Sequence, residues 1–220
     1  MTPNSKAAMW AGGSIFALML GLIAGNARAQ GTVVFVVPQQ PIFYAPLEGS
    51  TDIDLKGDGT IDYTLISHSG ETDLRPYGQN SLLVVPELPP DYGSFVAALS
   101  QGDAVNSTPS SVNPVFAWHD SSSDPFNPVI AAFSTAGSLG YFFDGIHYVG
   151  LRFEYGGSLH YGWMEIDCFS PSVPSGQVLA WAYETRPDTP IEVGEVPEPS
   201  TGALFALAGI VVVLRRDSRR

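Results

Sequence analysis

The run Tyr148-Val149-Gly150-Leu151-Arg152-Phe153-Glu154-Tyr155-Gly156-Gly157-Ser158-Leu159-His160-Tyr161-Gly162-Trp163-Met164-Glu165-Ile166 decides the fold class of this chain. Apolar and polar residues alternate on both sides of Gly156-Gly157, and a period of two puts successive side chains on opposite faces of a strand. Two adjacent glycines between such runs supply the backbone freedom that a tight hairpin turn needs. Strands over residues 148–155 and 160–167 are expected, paired as a hairpin. Trp163 lies inside the second, and Trp181 inside a further run at 178–183, where large aromatics belong to a core. Working outward, residues 33–37, 61–66, 81–85 and 129–133 have the same character, rich in Val, Ile, Leu and Phe and bounded by Gly, Pro, Asn, Asp or Ser. Only residues 95–99 suggest a helical turn. Many short strands punctuated in this way predict an all-β fold, a single antiparallel β-sandwich of jelly-roll or lectin-like kind. The Ser-, Asn- and Pro-rich stretches 102–114 and 121–128 read as long surface loops, and no internal repeat is present.

Both ends of the sequence have a different character. Lys6, the apolar stretch 15–24 and the small-x-small triplet Ala27-Arg28-Ala29 have the order of a secretory signal peptide, with cleavage after Ala29 and Gln30 as the new N-terminus. The other end reads Val196-Pro197-Glu198-Pro199-Ser200-Thr201, then the apolar run 202–214, then Arg215-Arg216-Asp217-Ser218-Arg219-Arg220. Pro197 and Pro199 fix φ and remove two N–H donors, so this segment is stiff, extended and readable by another protein. The thirteen-residue apolar run gives about 20 Å of helix, short of the ~20 residues that span a bilayer comfortably. It is expected to serve as a weak, transient membrane anchor, with Arg215 and Arg216 on the cytoplasmic side.

A proline motif, a greasy segment and an arginine cluster in this order resemble the PEP-CTERM sorting signal of exported bacterial proteins. The resemblance implies that an exosortase-type membrane protease recognises Pro197, Glu198 and Pro199 and removes the tail; signal peptidase is the partner expected at Ala27-Arg28-Ala29. The segments His160-Tyr161-Gly162-Trp163, Ala182-Tyr183-Glu184-Thr185 and Pro190-Ile191-Glu192-Val193-Gly194 are also similar to the terminal part of many proteins bearing that signal, which implies a β-sandwich body and no particular activity. The expected division is a signal peptide at 1–29, a β domain at 30–195 and a sorting signal at 196–220.

The β domain is strongly acidic. Its cations are Lys56, Arg75, Arg152 and Arg186, since the other six of ten lie in the two terminal segments; of 22 acids only Glu198 and Asp217 lie outside it. Four cations against twenty acids leave a net charge of −16, compared with −12 for the whole chain. Such a field repels nucleic acid and anionic membrane surfaces, and suits divalent cations and neutral or cation-bridged polysaccharides. Cys168 is the single cysteine, so no internal disulfide can form, and its alternating setting is that of a small buried hydrophobe rather than a nucleophile.

The stretch Asp52-Ile53-Asp54-Leu55-Lys56-Gly57-Asp58-Gly59-Thr60-Ile61-Asp62 carries the densest carboxylates. It resembles the Asp-x-Asn-x-Asp-Gly-x-x-Asp calcium loops of exported β-proteins, with Asp54, Asp58, the Thr60 carbonyl and Asp62 as ligands and Asp52 as a substitute. Calcium takes six to eight oxygens around a glycine-permitted turn. Lys56 departs from the pattern by placing an ammonium where a ligand belongs. The competing expectation is a hairpin turned at Asp58-Gly59 with no metal. Glu154 and Glu165 could be imagined as a glycosidase pair, but carboxylates on an exposed strand face are the commoner meaning. His147 and His160 lack zinc-site spacing. No Gly-x-Ser-x-Gly elbow, glycine-rich phosphate loop or Cys-x-x-Cys pair occurs. The leading expectation is a non-enzymatic structural protein of the cell surface or extracellular matrix, associated with exopolysaccharide and needing no cofactor. The alternatives are a carbohydrate-binding module stacking sugars on Trp118, Tyr141, Phe142 or Tyr161, with calcium as a stabilising ion, and a hydrolase with a dispersed site.

Overall fold

The computed structural model describes residues 33–44, 49–68, 70–86, 94–121, 128–134, 137–142, 145–169 and 175–197. The signal segment with Ala27 and Ala29, the tail from Glu198 onward with Pro199, and most of the loop expected at 121–128 lie outside these residues. The strands in chain order are β1 Val33–Val36, β2 Ile42–Tyr44, β3 Gly49–Ile53, β4 Tyr63–His68 and β5 Glu71–Pro76. They continue with β6 Ser81–Pro86, β7 Ser94–Val96, β8 Ala104–Val105, β9 Ala117–Asp120 and β10 Val129–Ser134. The last are β11 Gly137–Gly140, β12 Gly145–Tyr155, β13 Ser158–Cys168, β14 Gly176–Glu184 and β15 Ile191–Glu192. Among the described residues there is no α-helix, and a single 3-10 turn sits at Pro109–Ser111. The fold is all-β, and its sheet is open and almost wholly antiparallel.

The β12–β13 hairpin is the spine of the sheet. Its strands pair without interruption from Gly145↔Cys168 to Tyr155↔Ser158, and Gly156 and Gly157 at φ 62° and 81° make the two-residue turn. The main sheet runs β1-β14-β13-β12-β6-β7-β10-β5-β4-β3. Only the contact of β7 with β10, at Val129↔Phe95, is parallel.

Two apolar clusters form, one on each face of the hairpin and its neighbour β14. The larger joins Ile53, Tyr63, Leu65 and Leu74 from β3, β4 and β5 to Val149, Leu151, Phe153, Met164 and Ile166 from β12 and β13. The smaller gathers Tyr161, Trp163, Ala180 and Ala182 with Leu99, Val105, Ile191 and Val193. Trp163 and Trp181 therefore serve opposite faces. Trp181 would share parity with the wrong face but for a β-bulge: the register shifts between Glu165↔Ala180 and Ile166↔Val178. One extra residue on β14 flips its phase, so Val178 and Trp181 point into the same cluster.

The helical turn expected at 95–99 is instead extended. Ala97 N–H donates to the Leu83 carbonyl and Leu99 N–H to the Tyr148 carbonyl, so the segment wedges between β6 and β12. Phe95, Val96, Ala97 and Leu99 are all buried. A run buried on both faces loses the alternation that marks a strand, and its alanines then mimic a helix. The surface loop expected at 102–114 is also interrupted, because β8 pairs with β15 and buries Val105 in the smaller cluster.

Two buried phenols make the fold sensitive to alkali. Tyr63 Oη donates to the carbonyls of Ser81 at 3.1 Å and Arg152 at 3.0 Å, and Tyr44 Oη lies 3.2 Å from Cys168 Sγ. Burial pushes both phenols well above the ordinary value of 10.0. The folded chain thus keeps protons that the unfolded chain releases near pH 10, and the stabilisation present below that pH is lost as pH rises toward the folded pKa. Each phenol contributes a slope of about 1.4 kcal/mol per pH unit. Denaturant midpoints are expected to stay level to about pH 9 and to fall above about pH 10. Tyr44→Phe should flatten the fall; an unchanged slope would contradict this account.

Candidate functional site

Three turns meet at one end of the sheet. Residues 54–62 join β3 to β4, residues 77–80 join β5 to β6, and residues 154–157 turn the β12–β13 hairpin. They enclose a cleft of about 300 Å³ lined by Lys56, Asp58, Tyr77, Gln79, Glu154 and Tyr155 among others, at the lower end of the range for small-molecule sites.

The floor of the cleft is a polar network centred on Asp62, whose residue is 1 % exposed. Its Oδ1 accepts from Lys56 Nζ at 2.7 Å and from Asn80 Nδ2 at 3.1 Å, and its Oδ2 accepts from Leu55 N–H at 3.0 Å. Asn80 ties in the other two turns. Its Nδ2 also donates to the Asp62 carbonyl, and its Oδ1 accepts from Glu154 N–H at 3.1 Å. Tyr77 N–H donates to the Asp62 carbonyl at 3.1 Å. Burial alone would lower the Lys56 pKa, but the hydrogen bond to Asp62 and the charges of Asp62 and Asp58 outweigh it and hold the ammonium above the usual lysine range. A buried network with each carboxylate oxygen of Asp62 occupied fixes the relative position of the three turns.

The residues expected as calcium ligands are placed separately within this loop. Asp54 Oδ1 accepts from the N–H groups of Gly57 at 2.8 Å and Asp58 at 3.2 Å, and its Oδ2 from Gly59 at 2.7 Å. It acts as the side-chain cap of a turn whose glycines adopt φ 70° and 84°. Asp52 sits on β3 opposite Thr64, whose hydroxyl donates to it at 2.6 Å. Asp58 Oδ1 accepts from Thr60 N–H at 2.8 Å, a bond that, with a lesser contribution from Lys56, holds its carboxyl below the usual range. Among the described residues no three of His, Cys, Asp and Glu gather as a metal site requires. The cation between Asp58 and Asp62 is the Lys56 ammonium, 3.7 and 2.7 Å away.

Other candidates fall apart in space or are covered. Tyr161 is 1 % exposed and stacks on Trp118 with ring centroids 6.0 Å apart, so it cannot carry a sugar. Trp118 donates through Nε1 to the Asn106 carbonyl and meets the Arg152 guanidinium at 5.0 Å. The expected stacking platform thus loses Tyr161, which is buried, while Trp118 is half-buried with its ring against Tyr161 and the Arg152 guanidinium. Phe142 is likewise buried, while Tyr141 is exposed. Glu154 pairs with Leu159 and Glu165 with Tyr148. Six residues of β12 separate these positions, about 20 Å at ~3.3 Å per residue, twice the widest glycosidase spacing or more. His160 is buried with Nδ1 at 2.9 Å from the Glu184 carbonyl, and Cys168 is buried against Tyr44.

Sequence reasoning passed over Tyr77, Gln79, Asn80 and Tyr155. For the two tyrosines the available signal was their position beside turn glycines, Tyr77-Gly78 and Tyr155-Gly156, where an exposed aromatic has no core role.

The domain closes at Val193, which is buried, and a turn from Glu192 to Glu195 delivers the chain to the half-exposed Val196 and to Pro197. From that point residues 195–220 match the PEP-CTERM protein-sorting motif. The motif indicates an exported protein that an exosortase processes on its way to the cell envelope or surface. No curated protein and no solved structure matches the chain.

Proposed function

We propose that this chain is an exosortase-sorted structural protein of the cell surface or extracellular matrix, non-enzymatic, with a single β-sandwich of jelly-roll or lectin-like kind as its displayed part and exopolysaccharide as its partner. The sorting motif at 195–220 carries the reading, because it follows the turn after β15 without a spacer. The half-exposed Val196 marks where the folded domain gives way to the motif, which supports access by a membrane protease. The sandwich reading is supported by the larger core cluster, which joins β3, β4 and β5 to β12, β13 and β14. The absence of catalysis is supported by the wide separation of Glu154 from Glu165 and by the burial of His160 and Cys168.

The test is Pro197→Ala combined with Glu198→Ala, expressed in a host that carries an exosortase. The substituted protein should accumulate uncleaved in the membrane fraction while the parent reaches the surface or medium. Equal release of both would contradict the proposal.

A further inference from the structure

We propose that the cleft between the three turns binds a neutral saccharide, with Tyr77 and Tyr155 as its stacking surfaces. The site rests on geometry alone; it would give the proposed exopolysaccharide partner a place to bind, but it stands or falls separately from sorting. Tyr77 is 38 % exposed and Tyr155 44 % exposed, on different turns and both lining the cleft. Tyr155 is braced from within by His160 at 5.6 Å and Tyr183 at 6.3 Å between ring centroids. It is therefore a fixed ring with a free surface, which suits the flat apolar face of a sugar.

Between the tyrosines stand groups that complement hydroxyls. Asp58 and Glu154 offer carboxylate oxygens as acceptors, and the exposed amide of Gln79 both donates and accepts. A hydroxyl can answer either kind, whereas an anionic sugar would face Asp58 and Glu154 with the nearest ammonium already engaged by Asp62 and Asp58. The excess of acids over the whole domain acts in the same direction. The Asp62–Asn80 network holds the floor rigid before any ligand arrives, which lowers the ordering cost of binding.

Calorimetric titration of the full chain with cellotetraose and with galactomannan oligosaccharides tests this, with polygalacturonate and a lysine-rich peptide as controls. At least one neutral saccharide should bind, polygalacturonate should bind more weakly, and Tyr77→Ala, Tyr155→Ala and Gln79→Ala should each weaken binding about tenfold. Tyr155→Phe should retain most of the affinity, and Gln79→Ala, at an exposed turn, guards against loss through misfolding. Binding of the lysine-rich peptide alone, no binding of either neutral saccharide, or binding indifferent to all three substitutions would overturn the proposal. None of these outcomes bears on whether the tail is processed.

Discussion

Trp163→Ala should remove about 3–5 kcal/mol of unfolding free energy, enough to leave a domain of ordinary stability marginal or unfolded. The indole is 1 % exposed. It meets Tyr148 edge-on at 5.7 Å and Phe35 at 6.0 Å between ring centroids, within a cluster that also holds Leu83, Ala97, Val105 and Ile191. These side chains come from six segments of the chain, whose backbones are tied into ladders and cannot collapse freely into the hole. Among the described residues Trp163 Nε1–H has no hydrogen-bond partner, so Trp163→Phe sacrifices volume but none of the bonds described. It should cost clearly less than alanine. Urea denaturation of the two variants separates the cases, and equal losses would contradict the packing account.

Asp62→Ala should be nearly as damaging for a different reason. It strips the acceptor from Lys56 Nζ, Leu55 N–H and Asn80 Nδ2 together, and the Lys56 side chain is only 9 % exposed. Removing one member of a covered ion pair costs about 3–5 kcal/mol, because the other charge is left desolvated. Lys56→Met should be milder, and the double substitution should recover part of the loss, with a coupling energy of about 0.5–3 kcal/mol. Added calcium should leave the melting midpoint of the parent unmoved, since the ammonium already neutralises Asp62. A midpoint that climbs with calcium concentration, as linkage requires of a ligand bound only by the folded state, would contradict this and favour the calcium reading.

The fold class was legible because the hairpin strands 148–155 and 160–167 alternate and are parted by two glycines, a local signal that tertiary context did not override. The wedge at 95–99 was not legible, since two-sided burial erases alternation. The short strands β2, β8 and β15 were missed for want of length, their pairing being fixed by partners distant in sequence. In the site, the Asp58-Gly59 turn was visible and the role of Lys56 was half visible: the ammonium was recognised as foreign to a calcium loop, but not as the partner of Asp62. Asn80 could not have been found, because nothing local marks a residue whose work is to join three turns. Tyr161 misled for the converse reason, since an aromatic that stacks on another aromatic looks in sequence like one that stacks on a sugar.

The intact mass of the protein recovered from its native host, measured separately in membrane, surface and medium fractions, tests the sorting account most directly. The account predicts a chain that starts at Gln30 and ends between Pro197 and Thr201, with any added group at the new C-terminus. A chain that retains Arg220 and occurs only in the membrane fraction would contradict it, and would make the apolar run 202–214 a plain anchor.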